Sequence, residues 1–280
     1  MITNRLLTSN STFLKLPFSD FVYSTEKVGI NEIDLALAAP HVYIDSKECL
    51  DISGIREYRR SGRLTVKSAS VCAYRYSICA DSSTMQGKKS LEYYKRCIEF
   101  ASLVGADMLQ INASGACFDY EKDRLLSNAA RMLNQLVITA KNQNVVLLLG
   151  TVLGKESDRN QTTPVLTGLN DIKAMIGYID NIFLDAYLDT EAVYVAGESI
   201  SDWVHALGTK VRLIRFADGN YNGYRIWGDG CLPVNKMMNE IKENMYMGYL
   251  STALPGEYYL ASPEIPLAKN IAALQEVMGI

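Results

Sequence analysis

Asp185, Arg215 and Glu156 carry the groups that proton-transfer chemistry needs. Asp185 closes the apolar run Ile182-Phe183-Leu184, Arg215 lies in Leu213-Ile214-Arg215-Phe216, and Glu156 follows Val145-Val146-Leu147-Leu148-Leu149-Gly150. A carboxylate can draw a proton from a carbon beside a carbonyl, and a guanidinium can polarise that carbonyl or hold the resulting enediolate. The same guanidinium can instead grip a phosphate or carboxylate, or close on Asp185 as a structural ion pair. In such a pair the arginine would hold the Asp185 carboxyl low and weaken it as a base. Asp218 is a further base candidate, in a segment with Gly219, Gly223, Gly228 and Gly230 that can turn sharply toward a ligand. Tyr224, Arg225 and Trp227 give that segment aromatic and cationic groups suited to sugar faces or phosphates. His41, Asn112 and Tyr187 follow other apolar runs and offer hydrogen bonds to hydroxyls. A capping, packing or turn role fits each of these side chains equally well.

Other chemistries lack their residues. The chain holds two histidines, His41 and His205, too few for a histidine-rich metal cluster. Its cysteines, at positions 49, 72, 79, 97, 117 and 231, form no CxxC pair and read as reduced, separately packed thiols. No G-x-S-x-G elbow, HExxH or phosphate-binding loop occurs, and no GxGxxG follows the first strand.

The elements that must position these residues repeat along the chain. The near-continuous aliphatic run at 145–149 is what a parallel strand buried on both faces requires. Ser70-Val71-Cys72-Ala73 and Met108-Leu109-Gln110-Ile111 read the same way, with weaker strands near Leu6–Thr8 and Gly248–Thr252. Between them, Leu126, Ala129, Leu133, Leu136, Val137 and Ala140 form a helical stripe, with Asn128 assigned to the other faces. Leu91, Tyr94, Ile98, Ala101 and Val104 form another stripe, which Gly105 ends. Strand-helix units recur roughly every 30–40 residues. An α/β chain folded as one (β/α)8 TIM barrel over residues 1–280 is the expectation.

Composition agrees with that size. The chain has 280 residues, 48% of them hydrophobic and 21% charged, enough for a large core. A net charge of -3 gives no general nucleic-acid footprint. The run Arg56, Arg59, Arg60 and Arg63 reads as a solvated helix face. The first residues lack the apolar core of a secretion signal, and no apolar run reaches the roughly 20 residues that cross a bilayer. A cytoplasmic protein, without membrane association and with a possible homo-oligomeric state, is expected.

Three blocks resemble the sugar phosphate isomerase/epimerase family of xylose-isomerase-like barrels. Gly29 with Ile33-Asp34-Leu35 and Pro40-His41 is similar to its second-strand "G-x-x-x-I-E-[LIV]" motif, with Asp34 in place of Glu. Gly150, Glu156-Ser157, Asn170-Asp171 and Leu184-Asp185 are similar to its strand-five and strand-six segments. Arg215-Phe216-Ala217-Asp218 with Trp227-Gly228-Asp229-Gly230-Cys231-Leu232-Pro233 is similar to "H-[LIV]-x-D" and its following loop. The resemblance implies a polyhydroxy or phosphorylated sugar ligand, with Asp34 and His41 near the barrel mouth. It also implies a divalent metal held by Glu, Asp, His and Glu at the ends of strands five to eight. Those positions fall on Gly150, Asp185, Arg215 and a residue near Ala253. One ligand of four would remain, so no metal cofactor is expected. Isomerase chemistry would then be metal-independent, or the barrel would bind its ligand without turning it over.

Overall fold

Eight parallel strands close into a barrel in the order Arg5–Ser9, Tyr249–Ser251, Val211–Arg215, Leu184–Asp189, Val146–Gly150, Met108–Asn112, Thr65–Val71 and Glu32–Leu37, with helices covering the outer face. The computed structural model describes residues 5–44, 53–72, 76–113, 120–151, 165–220, 223–254 and 259–279. The first half runs β1 Arg5–Ser9, α1 Phe18–Lys27, β2 Glu32–Leu37, α2 Ser53–Arg60, β3 Thr65–Val71, α3 Met85–Leu103, β4 Met108–Asn112 and α4 Lys122–Gln143. The second half runs β5 Val146–Gly150, α5 Leu169–Ile179, β6 Leu184–Asp189, α6 Thr190–Val195, α7 Ile200–Leu207 and β7 Val211–Arg215. A hairpin of β8 Asp218–Asn220 and β9 Gly223–Arg225 follows, then α8 Val234–Glu243, β10 Tyr249–Ser251 and α9 Glu264–Met278.

Alternation along each strand sorts side chains into two cores. Leu109, Ile111, Leu147, Leu149, Leu184, Ala186 and Leu188 face outward into the layer beneath the helices. Leu7, Met108, Leu148, Tyr187 and Leu213 form a separate cluster inside the barrel. The helical stripe of α4 packs inward through Ala129, Leu133, Leu136, Val137 and Ala140, all buried. Asn128 is buried on the same helix, where its Nδ2 donates to Cys79 O at 3.0 Å. A partner distant in sequence, invisible in helical spacing, thus overrides the polar assignment. Gly105 follows the end of α3 at φ +74°, the left-handed geometry that a glycine tolerates at no steric cost.

The expected positions of β3 and β6 shift. Apolar content suggested a strand over 70–73, yet β3 spans Thr65–Val71 because its inward Ser68 is satisfied by a partner on β4. Ile182 is 81% exposed in a turn, and β6 begins only at Leu184. Asp180 ends α5 at φ 43°, and Asn181 Oδ1 accepts from Phe183 N at 2.9 Å, so a turn consumes the residues read as strand. That displacement moves a key carboxylate.

Candidate functional site

Asp185 lies near the start of β6, at the base of the barrel rather than its mouth. Its register partner is Leu148, in the middle of β5. Arg212 Nε donates to one carboxylate oxygen at 2.7 Å, and Lys210 Nζ donates to the other at 3.4 Å. A TIM barrel does its chemistry at the C-terminal ends of its strands, so this ion cluster serves stability. The expected pairing of Asp185 with Arg215 is therefore replaced by pairing with Arg212 and Lys210. A strand read as Ile182–Leu184, where β6 runs Leu184–Asp189, placed the carboxylate at the wrong end.

Asp189 occupies the strand-six end instead and shares a register position with Arg215 of β7. Arg215 in turn neighbours Ser251 at the end of β10. The Arg215 Nε donates to Gln110 Oε1 at 2.7 Å, and its guanidinium carbon stands 5.0 Å from the centre of the Tyr187 ring. Gln110 Nε2 donates to Asp34 Oδ1 and Ser68 Oγ, each at 2.8 Å, while Ser251 Oγ donates to Asp34 Oδ2 at 2.8 Å. Asp34 is fully buried and its two oxygens are both engaged in this polar layer. The Tyr187 ring lies against Gly150, where a Cβ would overlap it. An aromatic ring thus fills the space beside the end of β5, and a guanidinium rests on that ring.

Asp189 is buried and works in two directions. Oδ1 accepts from Glu191 N at 2.9 Å and Ala192 N at 3.3 Å, capping α6, while Oδ2 accepts from Tyr224 Oη at 2.8 Å. Burial pushes its carboxyl above the ordinary range, against the opposing pull of Arg215, Tyr224 and the two amides. The mouth therefore holds a fixed cation, a carboxylate shifted toward proton uptake and a phenol.

A family model described as a xylose isomerase-like TIM barrel matches residues 26–277. The chain belongs to the xylose isomerase-like TIM barrel family. Within it, the chain is 22% identical over 248 residues to the fructoselysine 3-epimerase of Shigella flexneri, covering 87% of each sequence. Among solved structures, the D-allulose 3-epimerase of Methylomonas sp. in complex with D-allulose is similar with a TM-score of 0.75 and 12% identity. That match covers 98% of this chain and 97% of the other. An IolI protein with a bound zinc atom is similar with a TM-score of 0.79, 13% identity and 98% coverage of both chains. Among the described residues, no group of three or more His, Cys, Asp or Glu side chains is placed to hold a metal ion. No helix among them is long and apolar enough to cross a membrane.

The family's other site positions divide between mouth and scaffold. Asn112 ends β4 in register with Gly150, at the mouth. Ala253 lies just beyond β10, after Thr252, whose N donates to Leu7 O at 3.0 Å. His41 has both ring nitrogens engaged: Nδ1 meets Asn10 Nδ2 at 3.0 Å and Nε2 meets Leu16 O at 2.8 Å. The amide must donate and the carbonyl must accept, so the imidazole is the neutral Nε2–H form; burial lowers its pKa accordingly. His41 is thereby a tie between η1 Asn10–Phe13 and the turn after β2 rather than a ligand contact.

Asp218 is likewise committed to the chain. Its Oδ1 accepts from Gly219 N and Leu232 N at 2.7 and 3.0 Å, and its Oδ2 from Gly228 N and Gly230 N at 3.0 and 3.1 Å. Four backbone donors leave it organising the 218–232 segment instead of taking a substrate proton. Trp227 stacks on Phe216 with centroids 5.2 Å apart and gives its backbone N–H to Asn270 Oδ1 at 2.8 Å, so it anchors that segment to the core. Arg225 Nη1 donates to Tyr224 O at 2.8 Å, bracing the residue that reaches Asp189. Glu156 lies outside the described residues.

Gln110, Ser68, Ser251 and Asp189 join the site without having been expected there. The signal was present as polar residues inside strand runs, which burial on both faces should otherwise forbid. For Asp189 the additional signal was Asp189-Thr190-Glu191 before Ala192-Val193, a helix N-cap pattern that marks the end of the strand.

Proposed function

We propose that this barrel is an isomerase- or epimerase-type protein for a polyhydroxy carbonyl compound, working without a divalent cation. The observation that carries the reading is Arg215, seated on the Tyr187 ring above Gly150 and in register with Asp189. The described strand ends suit a metal ion poorly. Gly150 has no donor and no room for one beside Tyr187, Ala253 has no donor, and Arg215 brings a permanent positive charge.

The chemistry follows from the groups present. The Asp189 carboxylate takes the proton from a carbon next to the bound carbonyl. The electron pair of that carbon–hydrogen bond moves onto the carbonyl oxygen, giving an enediolate beside the Arg215 guanidinium. Reprotonation by Asp189 at the neighbouring carbon, after proton movement between the oxygens, interconverts aldose and ketose; inversion of the first carbon takes its new proton from water on the opposite face, and Asp189 returns the proton it removed to solvent. The upward shift of the Asp189 carboxyl suits it to both directions of transfer. Tyr224 Oη supplies a proton-bearing neighbour.

A second reading has its own support. Asp189 accepts two backbone amides and a phenol, a set that a purely structural cap would also show, so the barrel would bind its ligand without turnover. Deuterium incorporation into D-fructose and D-allulose, with chelator present, separates the two. Incorporation that survives chelation and is lost in both Arg215→Leu and Asp189→Asn supports the enzyme. Binding without incorporation supports the silent receptor. Incorporation only after Mn²⁺ or Co²⁺ is added overturns the metal-free reading.

A further inference from the structure

We infer that Gln110 is a positioning residue that fixes the Arg215 guanidinium as a clamp for a planar oxyanion, such as a carboxylate or an enediolate. The inference rests on the reading of the mouth proposed above and names the group that makes it work. The amide of Gln110 can sit only one way. Its Nε2 donates to Asp34 Oδ1 and Ser68 Oγ, each at 2.8 Å, which turns Oε1 toward Arg215 Nε at 2.7 Å. Flipping the amide would set its oxygen against a buried carboxylate and its N–H groups against the guanidinium.

Asp34 is itself held by Ser251 Oγ at 2.8 Å, so β2, β3, β4, β7 and β10 all contribute to one chain of hydrogen bonds ending at Arg215. The Tyr187 ring bounds the guanidinium from a second direction. The hydrogen bond to Nε and the aromatic face both restrict the guanidinium, and a restrained guanidinium favours planar, two-oxygen partners over a point of charge. A lysine at position 215 would carry the charge but none of this geometry.

The test reads the Arg215 Nε–H directly by 15N–1H spectroscopy, with the resonance assigned by its loss in Arg215→Lys. The wild-type signal is expected to exchange slowly with solvent, and Gln110→Leu is expected to speed exchange at least about tenfold, the loss of one charge-assisted hydrogen bond. A cooperative melting transition in each variant, at a lowered temperature in Gln110→Leu, shows that the variants fold. D-Gluconate, measured by calorimetry, serves as the oxyanion probe, and its affinity is expected to fall about tenfold in Gln110→Leu. Unaltered Nε–H exchange in Gln110→Leu overturns the positioning role. Failure of wild-type protein to bind gluconate overturns the oxyanion assignment, whatever deuterium incorporation into ketoses shows.

Discussion

At Gly150 the missing side chain is a packing requirement as well as a missing ligand. A Cβ there would overlap the Tyr187 ring, which has little room to withdraw because it is buried against Met108, Leu148 and Leu213. Gly150→Ala is therefore expected to cost about 1–3 kcal/mol of overpacking. In a Tyr187→Ala background the same change is expected to cost less than half as much, read from chemical denaturation of the four proteins. Equal costs in both backgrounds would show that the ring does not fill that space. Asp189 gives a pH-dependent prediction at the same scale. Its carboxyl is raised in the folded state by burial, so the folded protein binds that proton more tightly than the unfolded chain. The stability it contributes is present below the ordinary carboxylate value of about 4 and is lost as pH rises through the raised folded value. Asp189→Asn is expected to flatten that part of the stability-against-pH curve. A curve of unchanged slope would show that Asp189 ionises normally.

The elements around the mouth are held by side chains that read as ligands in the sequence. Asp218 gathers four backbone N–H groups, and Gly230 must be glycine because a Cβ would overlap the Asp218 carboxylate. Asp218→Asn keeps the size but turns one of the two acceptor oxygens into a donor facing two amides. It is expected to cost about 2–3 kcal/mol and to speed proteolysis within 218–232. Cleavage rates equal to those of the wild type would contradict this. Thr190 Oγ1 donates to Ala217 O at 2.7 Å and accepts from Ala217 N at 3.1 Å, tying the segment after β7 to the start of α6. Such local ties explain which parts of the site were legible. The strand-end positions of Arg215 and Asn112 follow from apolar runs such as Met108–Ile111, whereas Tyr187, expected beyond the sixth strand, lies within β6 and inside the barrel. Asp189 was hidden because β6 carries three inward polar or aromatic residues, Asp185, Tyr187 and Asp189, where apolar content was the guide. Gln110 and Ser68 were hidden because their partners lie on other strands, and sequence spacing says nothing about which residues meet inside a barrel.

Over the whole molecule, polar chemistry sits at the two ends of an apolar barrel interior. The mouth layer of Asp34, Ser68, Gln110, Arg215 and Ser251 lies on the C-terminal side of the cluster formed by Leu7, Met108, Leu148, Tyr187 and Leu213. The Asp185 cluster closes the N-terminal side. Because Lys210 and Arg212 are 42% and 51% exposed there, water screens that cluster, and Asp185→Asn is expected to cost only about 1 kcal/mol. Ligand binding at the mouth is expected to be unchanged in that variant; a weakened ligand affinity would show that the two ends communicate. The barrel itself was legible throughout, since alternating strand and helix patterns fix its period. The family resemblance added the positions of the strand ends: the register places Gly150 and Arg215 at two of them, and Ala253 lies just past the end of β10. The fourth, strand six, required the structure. The measurement that bears most directly on the whole account is the metal content of the purified protein by mass spectrometry, before and after equilibration with Mn²⁺ and passage over a desalting column. Well under one ion per chain is expected in both samples. One firmly held equivalent per chain would contradict it.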